Sequence, residues 1–419
     1  MSDLCLSEYI KDICERAKAA VPSIASLPES KKNAILRDAA KALIDNADAI
    51  LSANKEDLDA AEENGVPRVM LDRLALNHDR IKSIASQMED VAALPCPVGS
   101  GECFVRPNGL CIRHIKVPLG VVAMIYEARP NVTADAAALC IKTGNAVILR
   151  GGKEALASST AIVKVIRDTL TANGVSPDAV SLVESRERES ASLLMGMRGY
   201  IDMLIPRGGK GLIKSVVENA KVPVIETGAG NCHLYVDSSA DINLAVKVAV
   251  NAKTSRPAVC NAIETILVHK DAAESFLPRF AEATGPVGLE IRGCDRTRQI
   301  LPDAIPVTDE DYDTEYDDLI VAVRVVDSID CAIDHIRRYS TGHSEAIMTS
   351  DIAAANKFTS SIDSAALYVN ASTRFTDGGE FGLGAEIGIS TQKLHIRGPM
   401  GLAALTTDKY IIEGNGQIR

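Results

Sequence analysis

The sequence predicts an α/β protein built on a parallel, doubly wound sheet. Between residues 117 and 226, short apolar segments alternate with longer segments of helical periodicity, the pattern of buried parallel strands joined by helices. Gly144 and Gly174 follow the ends of two predicted helices, where a left-handed residue commonly ends a helix. A second region with the same alternation follows residue 226, so we expect two α/β domains.

The elements of the two regions follow from their periodicity. In the first region the predicted strands are residues 121–126, 146–149, 180–183, 203–205 and 222–225, and the predicted helices are residues 132–142, 154–173, 189–197 and 211–219. In the second region the predicted strands are 234–236, 263–268, 319–325, 345–348 and 366–369, and the predicted helices are 242–252, 271–283, 329–339 and 353–359. The first ninety-odd residues have helical patterns throughout. The acidic residues 309–318 are expected to form a solvated loop. The glycine-rich residues 378–388 are expected to form an ordered functional loop, with a simple linker as the alternative.

Composition limits the kind of protein. A chain of 419 residues exceeds one ordinary core, and 46% apolar with 24% charged residues is average for a globular protein. A net charge of −11 argues against a nucleic-acid partner. The chain has no apolar run of membrane-spanning length and no signal-peptide pattern, so we expect a cytoplasmic protein with no membrane partner. The ten cysteines are scattered without C-x-x-C, so neither a disulfide framework nor a metal is expected.

A β-ribbon is predicted around Asn108-Gly109. This dipeptide lies between two β-rich segments and favours a type I′ hairpin turn. Cys111 and His114, although spaced as C-x-x-H, are interpreted as strand residues of this ribbon. Residues 409–413 are a terminal strand that could pair with it. Such ribbons often pair with another subunit, so we expect a homodimer or homotetramer.

Two similar cassettes predict a nucleotide site. Arg150-Gly-Gly-Lys153 and Arg207-Gly208-Gly209-Lys210 each follow a predicted strand and precede a predicted helix. Glycines allow a ligand close to the backbone, and a helix N-terminus with added cations favours phosphate. Neither cassette is G-x-G-x-x-G, and glycine pairs can simply turn the chain. Arg150 and Lys153 would suit the 2′-phosphate of NADP, although Glu154 beside them weakens that preference.

Cys260 is the candidate nucleophile. It follows the polar, cationic segment Lys253-Thr-Ser-Arg256-Pro and precedes an apolar strand. Two nearby cations favour the thiolate, which is the reactive form of cysteine. The alternative is a buried, inert thiol, which is how most unpaired cysteines behave.

Several long segments, in the same order along the chain, resemble the gamma-glutamyl phosphate reductase family, a branch of the aldehyde dehydrogenase superfamily. The resemblance extends from about residue 5 to the end, with local departures at Lys153, Ser255 and Ala258. The segments are residues 126–133, 205–213, 222–227, 230–233, 256–265, 381–393 and 397–401.

The resemblance implies an aldehyde dehydrogenase-like fold. Its parts would be a discontinuous NADP-binding domain, a catalytic domain, and a β-hairpin oligomerisation arm with the terminal strand. The expected boundaries are 1–100 with 119–227 for the first, 228–401 for the second, and 101–118 with 402–419 for the arm.

The resemblance also implies the reaction: NADPH-dependent reduction of L-glutamyl 5-phosphate to glutamate 5-semialdehyde with release of phosphate, in proline biosynthesis. Cys260 would carry the glutamyl thioester. Asn131 would donate to the thioester oxyanion, or cap a helix. Glu226 matches the superfamily's glutamate that activates water, which this reaction does not require. Its role is left open between substrate positioning, proton transfer and a strand end.

The remaining site residues are expectations from the same resemblance. Glu315 would hold the nicotinamide ribose, or be one more acid of an acidic loop. Arg129 would steady the leaving phosphate, or pair with Glu127. The other expected groups are Arg207, Gly208, Gly209 and Lys210 at the pyrophosphate or nicotinamide, Arg256 and Arg374 at the substrate α-carboxylate, and Phe381 and Gly382 in a loop closing over the substrate.

Two other functions compete with the reductase. A hydrolytic aldehyde dehydrogenase would oxidise aldehydes without phosphate. A nucleotide-binding assembly protein without catalysis would keep only the ribbon contacts, although the complete motif around Cys260 argues against it.

Overall fold

The computed structural model describes residues 3–127 and 129–419, and their contacts divide the chain into two compact units. The first unit lies within Met1–Glu226 and also includes Gly382–Gly388 and Met400–Arg419. The second unit comprises Thr227–Phe381 and Ile389–Pro399.

The first unit begins with helices whose apolar residues recur at helical spacing. In α5 the buried residues Ile81, Ile84, Ala85 and Met88 form one face, and the side chain of Asn77 caps the helix by accepting the N–H of Arg80 at 2.7 Å. The helices are α1 (Asp3–Ala25), α2 (Glu29–Asp45), α3 (Ala47–Glu63), α4 (Arg68–Leu74) and α5 (His78–Ala93).

The rest of the first unit alternates strands and helices as predicted. The strands are β1 (Gly101–Val105), β2 (Cys111–Pro118), β3 (Val121–Tyr126), β4 (Ala146–Arg150), β5 (Val180–Leu182) and β6 (Met203–Arg207). The helices are α6 (Pro130–Thr143), α7 (Leu156–Ala172), α8 (Glu189–Met195) and α9 (Lys210–Asn219). Strands β3 to β6 form a parallel sheet in the order β5-β4-β3-β6.

The predicted strand 222–225 is wrong. This segment makes one isolated bridge, between Val224 and Leu204 of β6, in place of a ladder. Pro223 lacks a backbone N–H, which removes one of the donors that a continuous strand would need.

The second unit contains a larger parallel sheet. Its strands are β7 (Cys232–Val236), β8 (Ile263–His269), β9 (Glu290–Gly293), β10 (Ile305–Pro306), β11 (Ile320–Val326), β12 (Ser344–Met348), β13 (Ala366–Val369), β14 (Ile389–Ser390) and β15 (Gly398–Pro399). Its helices are α10 (Ile242–Thr254), α11 (Lys270–Thr284), α12 (Asp295–Ile300), α13 (Asp309–Asp313), α14 (Ile329–Tyr339) and α15 (Ile352–Ser361). The sheet order is β10-β9-β11-β8-β7-β12-β13, while β14 and β15 form a separate short antiparallel pair.

Part of the acidic stretch 309–318 is helical, which corrects the predicted loop. Helix α13 begins with a capping box in which Thr308 and Asp311 bond reciprocally to each other's backbone N–H. Asp311 is buried and pairs with Arg292 at 2.6 Å. The acidic composition therefore predicted a solvated loop where Asp311 is buried and forms an ion pair. Strands β9 and β10, of four and two residues, were not predicted.

The arm combines β1 and β2 with the terminal strand β16 (Thr406–Glu413) in the order β1-β2-β16, so the predicted pairing of the ribbon with the chain end is confirmed. The turn is not type I′, because Gly109 has a φ of 86° but Asn108 does not have a positive φ. The N–H of Gly109 bonds to the carbonyl of Arg106 at 2.9 Å, and Pro107 holds the first central position at negative φ. This is a type I turn followed by a left-handed glycine.

Candidate active site

The sheet of the first unit has a topological switch point. From β3 the chain proceeds to β4 and β5 on one side and then crosses to β6 on the other, so the connections diverge between β3 and β6. In doubly wound sheets, ligands bind outside the carboxyl ends of the strands at such a point. Here those ends are followed by Glu127 after β3 and by Arg207 to Gly209 at the end of β6.

Glu127 lies at the N-terminus of α9. Its carboxylate accepts the N–H of Gly209 at 2.9 Å, and its own N–H donates to the carbonyl of Arg207 at 3.1 Å. A methyl group on Gly208 would lie 2.6 Å from the Glu127 carboxyl carbon, so any larger residue here would displace this carboxylate from the helix N-terminus. The helix terminus attracts negative charge, as the cassette predicted, and the anion seen there is a side chain of the protein itself. Lys210 is the first residue of α9, and its side chain lies outside the described part of the chain.

The other cassette lies at the carboxyl end of β4. The guanidinium of Arg150 donates to the carbonyls of Gly151 and Glu187, both at 3.2 Å, and to the Ser190 hydroxyl at 3.4 Å. Burial lowers the pKa of Arg150 from its ordinary value. Lys153 is exposed and begins a short 3-10 turn before α7. The fold therefore holds Arg150 in place and leaves Lys153 at the surface.

Residues at the start of α6 are arranged differently from the expectation. Arg129 is the cap residue of α6, so the alternative of Asn131 as the cap is wrong. The side-chain amide of Asn131 donates to Asp135, one turn later, at 3.2 Å. Burial raises the pKa of Asp135 to about 6, against the opposing effects of Asn131 and Arg207.

Glu226 is partly buried and lies two residues after Val224, which forms the isolated bridge. It is also the last residue of the segment Met1–Glu226 of the first unit.

In the second unit, Cys260 lies in a loop between the end of α10 and the start of β8 and is partly buried. Gly230 packs against its backbone so closely that a methyl group there would lie 1.6 Å from the Cys260 carbonyl oxygen. The thiol of Cys232 donates to the same oxygen at 3.1 Å. Burial raises the pKa of Cys232 well above its ordinary value, so this thiol stays protonated and able to donate.

Arg256 and Arg374, the two arginines predicted to bind the substrate, lie near Cys260. Arg374 donates from Nε to the Ser255 hydroxyl at 3.1 Å and from its fork to the side-chain oxygen of Asn261. Burial and the charge of Arg256 lower the pKa of Arg374, while the charges of Asp377 and Cys260 oppose this shift. The cysteine loop is therefore cationic, which favours a thiolate and an anionic substrate.

A buried ion pair lies at the two ends of the Cys260 loop. Lys253, near the end of α10, bonds at 2.5 Å to Glu264 on β8, and both side chains are fully buried. Burial raises the pKa of Glu264, and the Lys253 ammonium opposes this rise. The sequence contained both residues, but no local signal indicated that they pair.

Glu315 is connected to the cysteine through Gly230. Its carboxylate accepts the Gly230 N–H at 2.7 Å, so it supports the segment that abuts Cys260. The N–H of Phe381 donates to the carbonyl of Asp377 at 2.9 Å, and its side chain is exposed. Gly382 has a φ of 73° and belongs to the first unit by its contacts.

Within residues 3–127 and 129–419, no set of three or more His, Cys, Asp or Glu side chains is placed to share a metal ion. Over the same residues, no helix combines the length and apolarity needed to cross a bilayer.

Comparison with known proteins first gives the class. The model of the aldehyde dehydrogenase family matches residues 3–292. The fold is shared with an acetylating aldehyde dehydrogenase from Geobacillus thermoglucosidasius, at a TM-score of 0.72 and 16% identity over 100% of both chains. The chain belongs to the aldehyde dehydrogenase family.

Closer relatives narrow the class. The gamma-glutamyl phosphate reductase of Moorella thermoacetica is 57% identical over 97% of both chains, and that of Carboxydothermus hydrogenoformans is 54% identical over 98% of this chain and 100% of its own. The crystal structure of the Thermotoga maritima gamma-glutamyl phosphate reductase superposes with a TM-score of 0.96 at 47% identity, covering 98% of this chain and 99% of that one. Within its class, this chain is a member of the gamma-glutamyl phosphate reductase family.

Proposed function

We propose that this protein reduces L-glutamyl 5-phosphate to glutamate 5-semialdehyde, with NADPH as hydride donor and release of inorganic phosphate, in proline biosynthesis. The observation that carries the proposal is the setting of Cys260, a partly buried cysteine in a loop with Arg256 and Arg374. The high identity to named gamma-glutamyl phosphate reductases supports the same substrate.

In the first step, Cys260 attacks the acyl carbon of the substrate. The bond from carbon to the phosphate oxygen breaks, phosphate leaves, and a glutamyl thioester remains on the sulfur. Arg256 and Arg374 stabilise the thiolate and bind the anionic substrate, for which we assign them the α-carboxylate. Arg129 is assigned to the leaving phosphate. Phe381 and Gly382 belong to the loop proposed to close over the substrate.

The second step requires a hydride donor, and the chain has residues that fit a dinucleotide. NADPH, when bound, supplies the hydride that reduces the thioester carbon. The N-terminus of α9 already binds a carboxylate through Gly209, so its chemistry suits a pyrophosphate. Arg207, Gly208 and Lys210 are assigned to the same group. Cys260 is then the leaving group, because collapse of the thiohemiacetal releases the aldehyde and restores the thiolate.

The adenosine end of the cofactor is assigned to Arg150 and Lys153, with Lys153 as the exposed cation for a 2′-phosphate. Glu315 is assigned to the nicotinamide ribose. Asn131 remains the proposed donor to the thioester oxyanion, a role for which its amide would have to leave Asp135. Glu226 is proposed to be dispensable for acyl transfer, because phosphate, unlike water, needs no activating base.

The proposed assembly is a homodimer or homotetramer in the cytoplasm, formed through the arm. Strand β16 lies at an edge of the arm sheet and exposes Tyr410 and Ile412, with 58% and 56% of their surface accessible. An edge strand with exposed apolar side chains is suited to pairing with another chain. Light scattering of the intact protein measures the assembly.

The reaction is tested in reverse, by following NADP⁺ reduction with glutamate 5-semialdehyde in the presence and absence of inorganic phosphate. Turnover is expected to require phosphate and to be abolished in Cys260→Ala. Turnover without phosphate would identify a hydrolytic aldehyde dehydrogenase instead. Glu226→Gln is expected to keep phosphate-dependent turnover. Loss as complete as that of Cys260→Ala would show that Glu226 takes part in acyl transfer.

A further inference from the structure

Two cysteines of the arm lie side by side at the surface. The sulfur atoms of Cys103 on β1 and Cys111 on β2 are 3.3 Å apart. Cys103 is exposed and Cys111 is partly buried. The chemistry proposed for Cys260 does not use either of them. Strand pairing and solubility of the ribbon do not explain why two thiols lie in contact.

The strand register explains the contact. Cys103 pairs with Arg113, and Cys111 pairs with Val105, so the two cysteines are diagonal neighbours on one face of the ribbon. Diagonal neighbours usually lie farther apart than directly opposed residues, but the twist of the paired strands brings these two side chains together. The sulfurs are therefore already close to bonding distance while the strands keep their ladder.

We propose that Cys103 and Cys111 form a reversible intramolecular disulfide when the protein meets a peroxide oxidant. In the first step, the Cys103 thiolate attacks one peroxide oxygen. A sulfur–oxygen bond forms, the oxygen–oxygen bond breaks, and the departing oxygen leaves as water after taking a proton, which makes Cys103 a sulfenic acid. In the second step, the Cys111 sulfur attacks the Cys103 sulfur, the sulfur–sulfur bond forms as the sulfur–oxygen bond breaks, and the departing hydroxide takes the Cys111 proton and leaves as a second water. Two thiols lose two electrons, and one peroxide becomes two waters.

The surroundings assign these roles. Cys103 is the more exposed thiol and meets the oxidant first. The hydrogen bond with Cys103 raises the pKa of Cys111, which disfavours Cys111 as the thiolate that meets the oxidant. The cross-link would lie at the surface, and exposed disulfides are the more readily reduced. The bond is therefore a reversible modification and not a structural staple.

The structural consequence falls on β1. All five residues of β1 are exposed, and the strand pairs with β2 alone, so it is the least supported strand of the arm. The disulfide ties this edge to the central strand. Amide exchange over residues 101–105 is therefore expected to slow in the oxidised protein and to return to its original rate after reduction.

The test uses full-length protein treated with limiting hydrogen peroxide, alkylated with N-ethylmaleimide and digested without reduction by a protease that cleaves after glutamate. Cleavage after Glu102 and Glu127 releases a peptide whose cysteines are Cys103 and Cys111. This peptide should be two hydrogens lighter than its reduced form and carry no maleimide. Treatment with dithiothreitol before alkylation should restore two maleimide adducts.

Matched variants distinguish the native contact from general thiol oxidation. Cys331 is another exposed cysteine, so Cys331→Ser should leave the cross-linked peptide unchanged, whereas Cys103→Ser should leave one adduct on Cys111. In urea the reaction should slow, because the strand register no longer holds the sulfurs together. Two retained adducts in the native protein, oxygen added to Cys103 without a cross-link, or disulfide-linked chains on a non-reducing gel would each overturn the proposal.

Discussion

Gly230→Ala tests how tightly the structure fixes Cys260, the proposed nucleophile. The added methyl would lie 1.6, 2.3 and 2.5 Å from the carbonyl oxygen, carbonyl carbon and Cα of Cys260, all of them backbone atoms. Ordinary van der Waals contact begins at 3.4 Å, so one of the two segments must move by about 1.8 Å. No rotamer change can absorb this displacement, because the atoms that collide belong to the main chain.

The expected loss follows from the size of that movement. A misplacement of about 1 Å can lower a rate about 100-fold, so kcat/KM for phosphate-dependent NADP⁺ reduction should fall by at least about 100-fold. This corresponds to about 2.7 kcal/mol of lost transition-state stabilisation. The rate at which a small reagent alkylates Cys260 should change as well, and this measurement does not depend on the cofactor.

Gly285→Ala is the matched control. Gly285 is in the same unit, has an ordinary negative φ, and would place its new methyl in open space. Both variants replace glycine by alanine in the folded chain, so only the contact with Cys260 differs. If Gly230→Ala kept kcat/KM and melting temperature within about threefold and a few degrees of those of Gly285→Ala, the argument from close approach would be wrong.

Three further predictions concern a buried ion pair, a carboxyl group with a raised pKa and an arginine near Cys260. Lys253→Met leaves Glu264 buried without its counter-ion and should lower the free energy of unfolding by about 3–5 kcal/mol, whereas the double change with Glu264→Leu should recover most of the loss in urea denaturation. The pKa of Asp135 is raised to about 6, so the folded state keeps a proton that the unfolded state releases. Wild-type stability from this group should be complete below about pH 4 and decline as the pH rises through about 6, and thermal unfolding of Asp135→Asn should lack that decline. Arg374→Lys cannot keep the forked contact with Ser255 and Asn261, so KM for the acyl phosphate should rise about tenfold while the melting temperature changes little. An unchanged KM would remove Arg374 from the proposed substrate site.

The alternation of strands and helices could be predicted because it is written in local periodicity. With the exception of residues 222–225, the predicted strands of the first unit were found in this way. The terminal strand at residues 409–413, which pairs with the ribbon, was found in the same way. Errors arose where one residue or one distant partner decided the outcome. Pro107 changed the hairpin turn, Pro223 interrupted a strand, and the contact of Asp311 with Arg292 turned an expected loop into part of the folded interior.

Of the candidate site, the sequence indicated only the residues proposed to react or to bind the cofactor. Cys260 stood out through its neighbouring cations, and the cassette at residue 207 stood out through its glycines and charges. The groups that position them are distant in sequence: Glu127 bonds to Gly209 across 82 residues, and Glu315 bonds to Gly230 across 85. A window of sequence contains no information about such pairs, and the burial that shifts the pKa of Glu264 is likewise a property of the folded chain.

Glu315 shows why these supporting contacts matter for assigning roles. It was expected at the nicotinamide ribose, and its carboxylate is bonded to the N–H of Gly230, the residue that abuts the Cys260 carbonyl. An ionised carboxylate can accept several hydrogen bonds, so holding Gly230 and binding a ribose are compatible. With Glu315 in its proposed role, a substitution there would act on cofactor affinity and on the position of Cys260 at the same time. Gly230→Ala keeps the Glu315 carboxylate and displaces the segments that meet at Cys260, so a loss of cofactor affinity found in a Glu315 variant and not in Gly230→Ala would belong to the carboxylate itself.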